Sequence, residues 1–287
     1  GSGKTVLSRS IMGLLPDSAV TSGSVRFAGQ EILDLPAKQR RHLWGAEMSM
    51  VFQNPLNSLN PLMKIGKQIA EPLRLHLGMD KTNARETAVQ LLRSVRIPEP
   101  ERRLDQFPHE LSGGMRQRVM IAMALACGPT VLFADEPTTA LDVTVQDQIL
   151  RLLSGLQRER GMGLVLVTHD LAVVKDSTDN VAIVYGGQVV EYGPTADIFA
   201  DPHHRYTVAL MRSMPDLGLP SHSELATIEG APPSLIDPPV GCRFAARCEA
   251  AQQRCHDEAP PEDGTAEHSF RCWFPAREAH VGVRHGR

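Results

Sequence analysis

Residues 111–137 read LSGGMRQRVMIAMALACGPTVLFADEP and carry the strongest signal for the architecture. Ser112 suits the N-cap of a helix, and Gly128 with Pro129 are typical signals for its end. The residues predicted to face inward are Val119, Ala122, Met123 and Ala126. The apolar run that follows, at 130–135, is typical of a strand covered by helices on both faces. This order favours an α/β fold.

The two glycines after Ser112 would leave backbone N–H groups exposed at the positive end of that helix. Gly113 and Gly114 therefore offer an anion site that a nucleotide phosphate could occupy. The alternative, a capped helix with a flexible entrance, accounts for a serine and a glycine but not for a pair of exposed glycines. We interpret residues 112–114 as a phosphate-binding surface.

Acidic and histidine side chains stand where two predicted buried strands end. Asp135 and Glu136 give one carboxylate for a magnesium shell and a second that can polarise an attacking water. His169 follows the apolar run at 163–168 and can reach the outer phosphate of a nucleotide. Taken alone, the acidic pair also suits a turn before Pro137, and a histidine at a strand end is often structural. The neighbouring motifs favour the catalytic interpretation.

The chain opens with GSGKTVLSRSIMGLL, which matches the second half of a phosphate-binding loop. In such a loop Lys4 would reach the outer phosphates and Thr5 would hold magnesium at a helix N-terminus. Apolar residues follow at helical spacing: Leu7, Ile11 and Leu14. The alternative is a Gly-Ser remnant of a purification tag. The first glycine of the full pattern would lie five positions before Gly3, so we expect the sequence to begin inside the loop.

Three apolar runs predict the core of the fold. Residues 130–135, 163–168 and 181–185 are continuous and strand-sized, and we interpret them as strands of one parallel sheet. Residues 24–33, SVRFAGQEIL, alternate around a glycine as an antiparallel flank would. The expected fold class is therefore α/β.

Two further regions are added to this core. Helical spacing from about 61 to 128 predicts an inserted helical subdomain, with inward residues Ala84, Ala88, Leu91 and Val95. Proline and glycine become frequent after Asp201, which predicts a small loop-rich C-terminal module. The expected domains are thus residues 1–200 and 201–287.

Charge and hydropathy restrict the classes of partner. With 30 basic and 33 acidic residues, the net charge of −3 gives no basic field for nucleic acid. No run approaches the roughly 18 apolar residues of a membrane-spanning helix, so a membrane role would be peripheral.

In chain order, GSGKT, VFQNP, LSGGM, LFADEP, TALD and VTHD resemble the motifs of ABC transporter ATPase subunits. The resemblance covers residues 1 to about 200. It implies a P-loop NTPase core of the RecA-like type, ATP and Mg²⁺ as ligands, and hydrolysis to ADP and phosphate. It also implies head-to-tail dimers, in which each ATP lies between the P-loop of one subunit and the LSGGM signature of the other.

The same resemblance implies roles for the residues that match the motifs. Glu136 is implied as the general base, His169 as the switch histidine, and Gln53 as a magnesium contact that reports to the membrane partner. Lys4 completes the implied catalytic set. The implied nucleotide-binding residues are Gly1, Ser2, Gly3, Lys4, Thr5, Val6, Gln53, Ser112, Gly113, Gly114 and, at the dimer seam, Asp142. The implied magnesium ligands are Thr5, Gln53 and Asp135.

A narrower resemblance is to the ATPases of bacterial oligopeptide, dipeptide and nickel importers. It rests on SVRFAGQEIL, MSMVFQNPLNSLNP and FPHELSGGMRQRVMIAMALACGP, and on DPHHRYTVALMRSMP and GCRFAARC in the tail. Arg205 stands where that subfamily has proline. The resemblance implies a peptide importer subunit at the cytoplasmic face of the bacterial membrane. Its implied partners are a second, related ATPase, two transmembrane permeases and an extracytoplasmic solute-binding protein.

Three other functions stay open at this point. One is import of nickel or another small solute, and another is a soluble ABC-type ATPase that acts on nucleic acid or ribosomes. The soluble type would be expected to carry two cassettes, a coiled-coil insertion or basic patches. A nonhydrolytic regulatory subunit is the third, and the intact motifs argue against it.

Four of the five cysteines lie close together after position 240: Cys242, Cys248, Cys255 and Cys272. A cytosolic setting disfavours disulfides, so metal binding is favoured over disulfides and free thiols. The spacing lacks the paired pattern of structural zinc sites, and an iron–sulfur cluster also takes four thiolates. The subfamily resemblance implies a 4Fe-4S cluster, with zinc as the alternative and His256 or His268 as substitute ligands. Cys127 is interpreted as a core residue.

Overall fold

The computed structural model describes residues 2–139, 141–214 and 227–276. The helices are α1 (Lys4–Ile11), α2 (Ala37–Leu43), α3 (Pro55–Ser58), α4 (Ile65–Leu77), α5 (Lys81–Ser94), α6 (Pro100–Arg103), α7 (Gly113–Ala124), α8 (Val143–Arg160), α9 (Leu171–Ser177), α10 (Thr195–Ala200), α11 (Arg205–Arg212) and α12 (Gln253–Asp257). The strands are β1 (Arg26–Phe27), β2 (Gln30–Glu31), β3 (Met48–Val51), β4 (Val131–Asp135), β5 (Gly163–Val167), β6 (Asn180–Tyr185), β7 (Gln188–Pro194), β8 (Asp263–Gly264) and β9 (Ser269–Phe270). The chain forms two compact units, Thr5–His169 and a second made of Gly1–Lys4 with Asp170–Arg287.

The first unit is built on a parallel sheet with the strand order β3-β4-β5. Leu132 and Ala134 of the central strand are fully buried, as a strand covered on both faces requires. The register aligns Val51 with Ala134 and Asp135 with Val167, so the three strands end side by side. A short hairpin of β1 and β2 matches the predicted antiparallel flank.

The predicted helical subdomain is present as α4, α5 and α7, which pack against one another in the main apolar core of the unit. The sequence predicts that four residues in or directly after α5 face inward. All four are buried: Ala84, Ala88, Leu91 and Val95. Asp80 caps that helix by accepting hydrogen bonds from the backbone N–H groups of Thr82 and Asn83.

The second unit contains an antiparallel sheet with the order β6-β7-β9-β8. The prediction that residues 181–185 belong to the parallel core sheet is therefore wrong. Gly186 and Gly187 both have positive φ and form a tight turn directly after β6. This turn sends the chain back as β7 and makes a hairpin. Continuous apolar character alone could not distinguish the two kinds of strand.

The C-terminal part is loop-rich, as predicted, but it has an aromatic core. Tyr185, Tyr206 and Phe244 form three mutual ring contacts with centroids 4.4 to 5.4 Å apart. Arg247 donates to the backbone carbonyls of Ile228 and Glu229 and to the hydroxyl of Tyr185. Side-chain bonds of this kind take the place of regular secondary structure in the segment.

No helix within the described ranges is both long enough and apolar enough to cross a bilayer. The predicted domain boundary between residues 200 and 201 differs from the break between the compact units, which falls after His169. The boundary therefore stays a prediction.

His204 caps α11 and gives the second unit a defined pH dependence. Its Nδ1 accepts a hydrogen bond from the backbone N–H of Tyr206 at 3.0 Å, and burial lowers its pKa from 6.5 to about 4. Between these two values the unfolded chain takes up a proton that the folded chain does not. Stability from this residue is therefore present above pH 6.5 and is lost as the pH falls toward 4.

We expect His204→Asn to flatten this pH dependence, because asparagine can cap the helix but does not titrate. From pH 7 to pH 5 the unfolding free energy should fall by about 2 kcal/mol less in the variant than in the parent. The measurement is urea denaturation followed by tryptophan fluorescence in a Trp44→Phe background, in which the signal comes from Trp273. His109→Asn at an exposed position is the matched control, and equal slopes for all three proteins would contradict the assignment.

Candidate functional site

The carboxyl ends of the parallel strands bring the predicted catalytic side chains to one edge of the sheet. Gln53 follows β3, Asp135 ends β4 with Glu136 directly after it, and His169 follows β5. Because the strands end in register, residues more than 80 positions apart in sequence become neighbours. This edge is where open parallel sheets bind ligands.

Asp135 is fully buried and is held by the first helix. Its Oδ1 accepts a hydrogen bond from the Thr5 hydroxyl at 2.9 Å, across 130 residues of sequence. Its Oδ2 is also buried and accepts no hydrogen bond from the described residues. A buried carboxylate oxygen without a partner is costly, and a cation would compensate it. A hydroxyl beside a carboxylate is also a donor set that Mg²⁺ prefers, so these residues fit that ion.

Glu136 lies at the centre of a polar cluster at the same edge. Its Oε2 accepts hydrogen bonds from Gln53 Nε2 at 2.8 Å and from the Thr139 hydroxyl at 2.9 Å. Its Oε1 lies 3.3 Å from Nδ1 of His169. The glutamate side chain is 18% exposed and the histidine 69%, so the cluster opens to solvent on the histidine side. The predicted catalytic residues Gln53, Glu136 and His169 are thus in contact.

The backbone of Glu136 is in an unusual conformation, with a φ of 45°. A positive φ is uncommon outside glycine and costs free energy unless the surroundings hold it. Here the backbone N–H donates to the Val167 carbonyl at 2.9 Å and the carbonyl accepts from Thr139 N–H at 3.2 Å. The turn therefore fixes the direction in which the carboxylate leaves the strand.

The LSGGM segment forms the predicted capped helix. Ser112 Oγ accepts a hydrogen bond from the backbone N–H of Met115 at 3.3 Å, and Gly113 is exposed. An added Cβ at Gly114 would lie 3.0 Å from a methyl group of Val145, so the two helices approach closely at this position. Asp142 caps the adjoining helix α8 by accepting from the N–H of Val145 at 2.9 Å. The two predicted surface motifs are therefore neighbours.

In the second unit, the Lys4 ammonium donates to the Ser2 hydroxyl at 3.1 Å, and Gly187 N–H donates to the Ser2 carbonyl at 3.0 Å. Gly3 has a φ of 93°, which favours glycine. Val6 lies on the first helix with its side chain more than half exposed. Gly1, also predicted to bind nucleotide, lies outside the described residues.

The four C-terminal cysteines line one pocket in the second unit. The other residues of the lining include His204, Arg205, Phe244 and Trp273. Burial raises the pKa of the Cys242, Cys248 and Cys272 thiols above the usual value, so the thiolates need a nearby positive charge. The donor set and its burial fit a metal or cluster.

Two features of this pocket differ from the sequence-based expectation. Neither His256 nor His268 is part of its lining, and His204 takes that place. Burial raises the pKa of Cys248 and Cys272, and the charge of Arg205, which departs from the subfamily pattern, offsets part of that increase. Arg205 also donates a hydrogen bond to the Phe274 carbonyl at 2.9 Å. His256 and His268 were expected as substitute ligands because they lie near the cysteines in sequence. The fold instead places His204, the N-cap residue of α11, in the lining of the pocket.

Cys127 is separate from this group, as predicted. It lies in the first unit with its sulfur 3.5 Å from the Pro72 carbonyl oxygen, and burial raises its pKa.

Comparisons with known proteins agree with this architecture. A model of the ABC transporter family matches residues 1–139, and a model of the oligopeptide/dipeptide transporter C-terminal region matches residues 190–255. The dipeptide transport ATP-binding protein DppD of Bacillus subtilis is 45% identical, over 100% of this chain and 86% of that protein. The oligopeptide transport ATP-binding protein OppD of Salmonella typhimurium is 45% identical, over 97% of this chain and 83% of that protein.

Solved structures give the same family. The dimeric ATP-binding cassette MJ0796 bound to ADP and Pi has a TM-score of 0.60 and 30% identity, covering 68% of this chain and 81% of that one. CbiO1 of Clostridium perfringens has a TM-score of 0.59 and 30% identity, and the match covers 69% of this chain and 75% of that one. The chain therefore belongs to the ABC transporter family, among the ATP-binding proteins that carry the oligopeptide and dipeptide transporter C-terminal region.

Proposed function

We propose that this chain hydrolyses ATP to drive a separate transmembrane permease that imports peptides. The observation that carries the proposal is the polar edge of the parallel sheet, where Thr5 bonds to Asp135 and where Gln53, Glu136 and His169 are in contact. The names of the relatives DppD and OppD, and the match to their C-terminal region, support peptides as the solute. Import of nickel or another small solute is the alternative.

Most of the catalysis would be positioning and neutralisation of charge. Asp135, Thr5 and Gln53 would hold Mg²⁺, which would supply positive charge to offset the negative charge that develops on the phosphates. By the family resemblance, Lys4 and the amides of residues 1–6 would bind phosphate. Because Asp135 is already buried and oriented by Thr5, little reorganisation would be needed when the nucleotide binds.

Glu136 would orient the attacking water and accept its proton. Its carboxylate is fixed from one side by Gln53 and Thr139, and its other oxygen faces the exposed His169. A water on that open side would be within hydrogen-bond reach of the carboxylate. His169 would then contact the outer phosphate and link its presence to the position of the base.

A second copy or a related ATPase would complete each site. Ser112, Gly113 and Gly114 present N–H groups at the start of α7, and Asp142 lies beside them at the start of α8. We infer that this surface faces the nucleotide of the partner in a head-to-tail dimer. The solved cassette MJ0796, described as dimeric with ADP and Pi, supports a dimer.

The remaining partners follow from the same family. Two permease subunits and an extracytoplasmic solute-binding protein would complete the importer, with this chain at the cytoplasmic face of the membrane. The net charge of −3 does not favour the soluble, nucleic-acid or ribosome-bound alternative.

The four C-terminal cysteines would hold a 4Fe-4S cluster, with zinc as the alternative. Among the described residues, no three of these sulfurs lie within 4.8 Å of one another. A single tetrahedral zinc would separate its sulfur ligands by only about 3.8 Å, whereas a four-iron cube separates them further. The cysteines would then fasten the ends of a segment that has little regular secondary structure.

Replacing the proposed base should separate binding from hydrolysis. Glu136→Gln preserves the size and the hydrogen bonds of the side chain but cannot accept a proton, so we expect ATP affinity to be retained and turnover to fall at least about 100-fold. The measurement pairs equilibrium ATP binding with phosphate release in the purified subunit. Glu159→Gln on the exposed face of α8 is the control, and undiminished turnover in Glu136→Gln would rule out the role.

Asp135→Asn tests the magnesium ligand. Loss of the charge should raise the Mg²⁺ concentration that half-saturates ATPase activity by about tenfold or more, because a buried anionic ligand is replaced by a neutral one. The control is Asp147→Asn, which alters a surface ion pair with Arg151. Identical magnesium dependence in the two variants would contradict the assignment.

Purification without oxygen tests the cysteine site. We expect about four iron atoms per chain and visible absorption, both lost in Cys255→Ser and both kept in Cys127→Ser. Stoichiometric zinc without iron would contradict the cluster and favour a zinc ion at the four cysteines. Equal metal content in Cys255→Ser and Cys127→Ser would exclude both the cluster and the zinc ion.

A further inference from the structure

A second group of metal-ligating side chains lies in the antiparallel sheet, apart from the cysteine pocket. Glu191 of β7, His203 before α11 and His268 before β9 place one ligand atom each within 4.8 Å of the others. We propose that these three residues bind a divalent transition-metal ion of the zinc class. None of them takes part in the proposed nucleotide chemistry.

Glu191 provides a buried anion at the centre of the group. Its side chain is fully buried, and its oxygens accept hydrogen bonds from the backbone N–H groups of His203 at 2.6 Å and His204 at 3.1 Å. Its Oε1 also lies 3.0 Å from Nε2 of His268. Two backbone amides hold the carboxylate in place, and lone pairs remain on its oxygens for a further ligand.

His203 has an atom that the surrounding protein does not satisfy. Its Nδ1 is buried and has no hydrogen-bond partner among the described residues, and it lies 3.9 Å from Oε1 of Glu191. On the other side of the ring, Nε2 lies 3.9 Å from a carboxylate oxygen of Asp201. A carboxylate there favours a proton on Nε2, which leaves the lone pair of Nδ1 facing Glu191 and His268.

The positions of the rings are set by packing. The His203 ring stacks on Phe270 with centroids 4.6 Å apart and meets the His268 ring edge to face at the same distance. An added Cβ at Gly193 would lie 3.3 Å from the His268 ring, so a glycine allows the close approach of that ring to β7. The ligand atoms of the two histidines are therefore already close to the positions that a bound metal ion would require.

The distances suit a small ion with nitrogen and oxygen ligands. Zinc bound at about 2.0–2.1 Å separates such ligand atoms by about 3.4 Å. The observed 3.0 and 3.9 Å lie on either side of this value. Two histidines and one carboxylate leave a fourth position for water, and the soft thiolates that favour copper(I) are absent from this group.

A bound ion would join three separate segments of the second unit. β7 and β9 pair through only two residue positions, Glu191 with Phe270 and Tyr192 with Ser269. Metal ligands on β7, on the approach to α11 and on the β8–β9 turn would cross-link this short pairing. The competing explanation is that a protonated His268 pairs with Glu191 and no metal binds.

The test uses cobalt(II) and zinc with the complete chain after removal of metals under anaerobic conditions. Cobalt at this site should give weak visible bands without the intense sulfur charge-transfer band that cysteine ligands produce. We expect one such equivalent in the parent and in His109→Gln, an exposed control, and its loss in His268→Gln and His203→Gln. Glutamine at 268 can still donate to Glu191, so a purely hydrogen-bonded role would be preserved.

Thermal unfolding provides the second measurement. Zinc at about 100 times its dissociation constant should raise Tm by about 5 °C more in the parent than in His268→Gln. If either variant fails to fold, the parent still tests the site, because the absence of a cobalt equivalent without sulfur ligands overturns the proposal. Equal cobalt stoichiometry in parent and variants, or an equal zinc shift, would also overturn the proposal.

Discussion

The hydrogen bond between the Thr5 hydroxyl and the buried Asp135 carboxylate is the contact on which the proposed nucleotide site depends. It joins the first helix to the end of the central parallel strand, across 130 residues of sequence. Without it, Asp135 would have neither oxygen satisfied in a fully buried position. The charge at the strand end is thus held for a cation by one short side chain, and the rest of the site is arranged around it.

The turn after that strand extends the same constraint to the proposed base. Glu136 has a positive φ and is held by backbone bonds to Val167 and Thr139, so its carboxylate is directed toward Gln53 and His169. Each of these residues follows a different parallel strand. Any change in the register of β3 or β5 would therefore misplace a side chain that Glu136 contacts. The parallel sheet is a positioning device as well as a core.

Although the roles of Gln53, Asp135, Glu136 and His169 stay predictions, the sequence was sufficient to place these residues at the ends of buried strands, because they follow apolar runs and match short motifs. It was insufficient where pairing is nonlocal. Residues 181–185 have the apolar pattern of a strand in the parallel core sheet. The turn at Gly186 and Gly187 instead makes this strand part of a hairpin in the antiparallel sheet. His204 lies far in sequence from the cysteines of its pocket, and His203 lies far in sequence from His268, so no spacing rule could have found them. His268 was considered as a substitute ligand for the cysteines because it lies near Cys272 in sequence, but it does not line their pocket.

The second unit differs from the first in what holds it together. The first unit has one large apolar core that spans the sheet and the helical subdomain, whereas the second has a small core around Tyr185 and Phe244. A small core cannot by itself offset the loss of chain entropy in a loop-rich segment. Arg247, the buried carboxylate of Glu191 and the cysteine pocket each join segments that are distant in sequence. Polar contacts therefore supply order where apolar burial is limited, and the proposed metal sites would add to it.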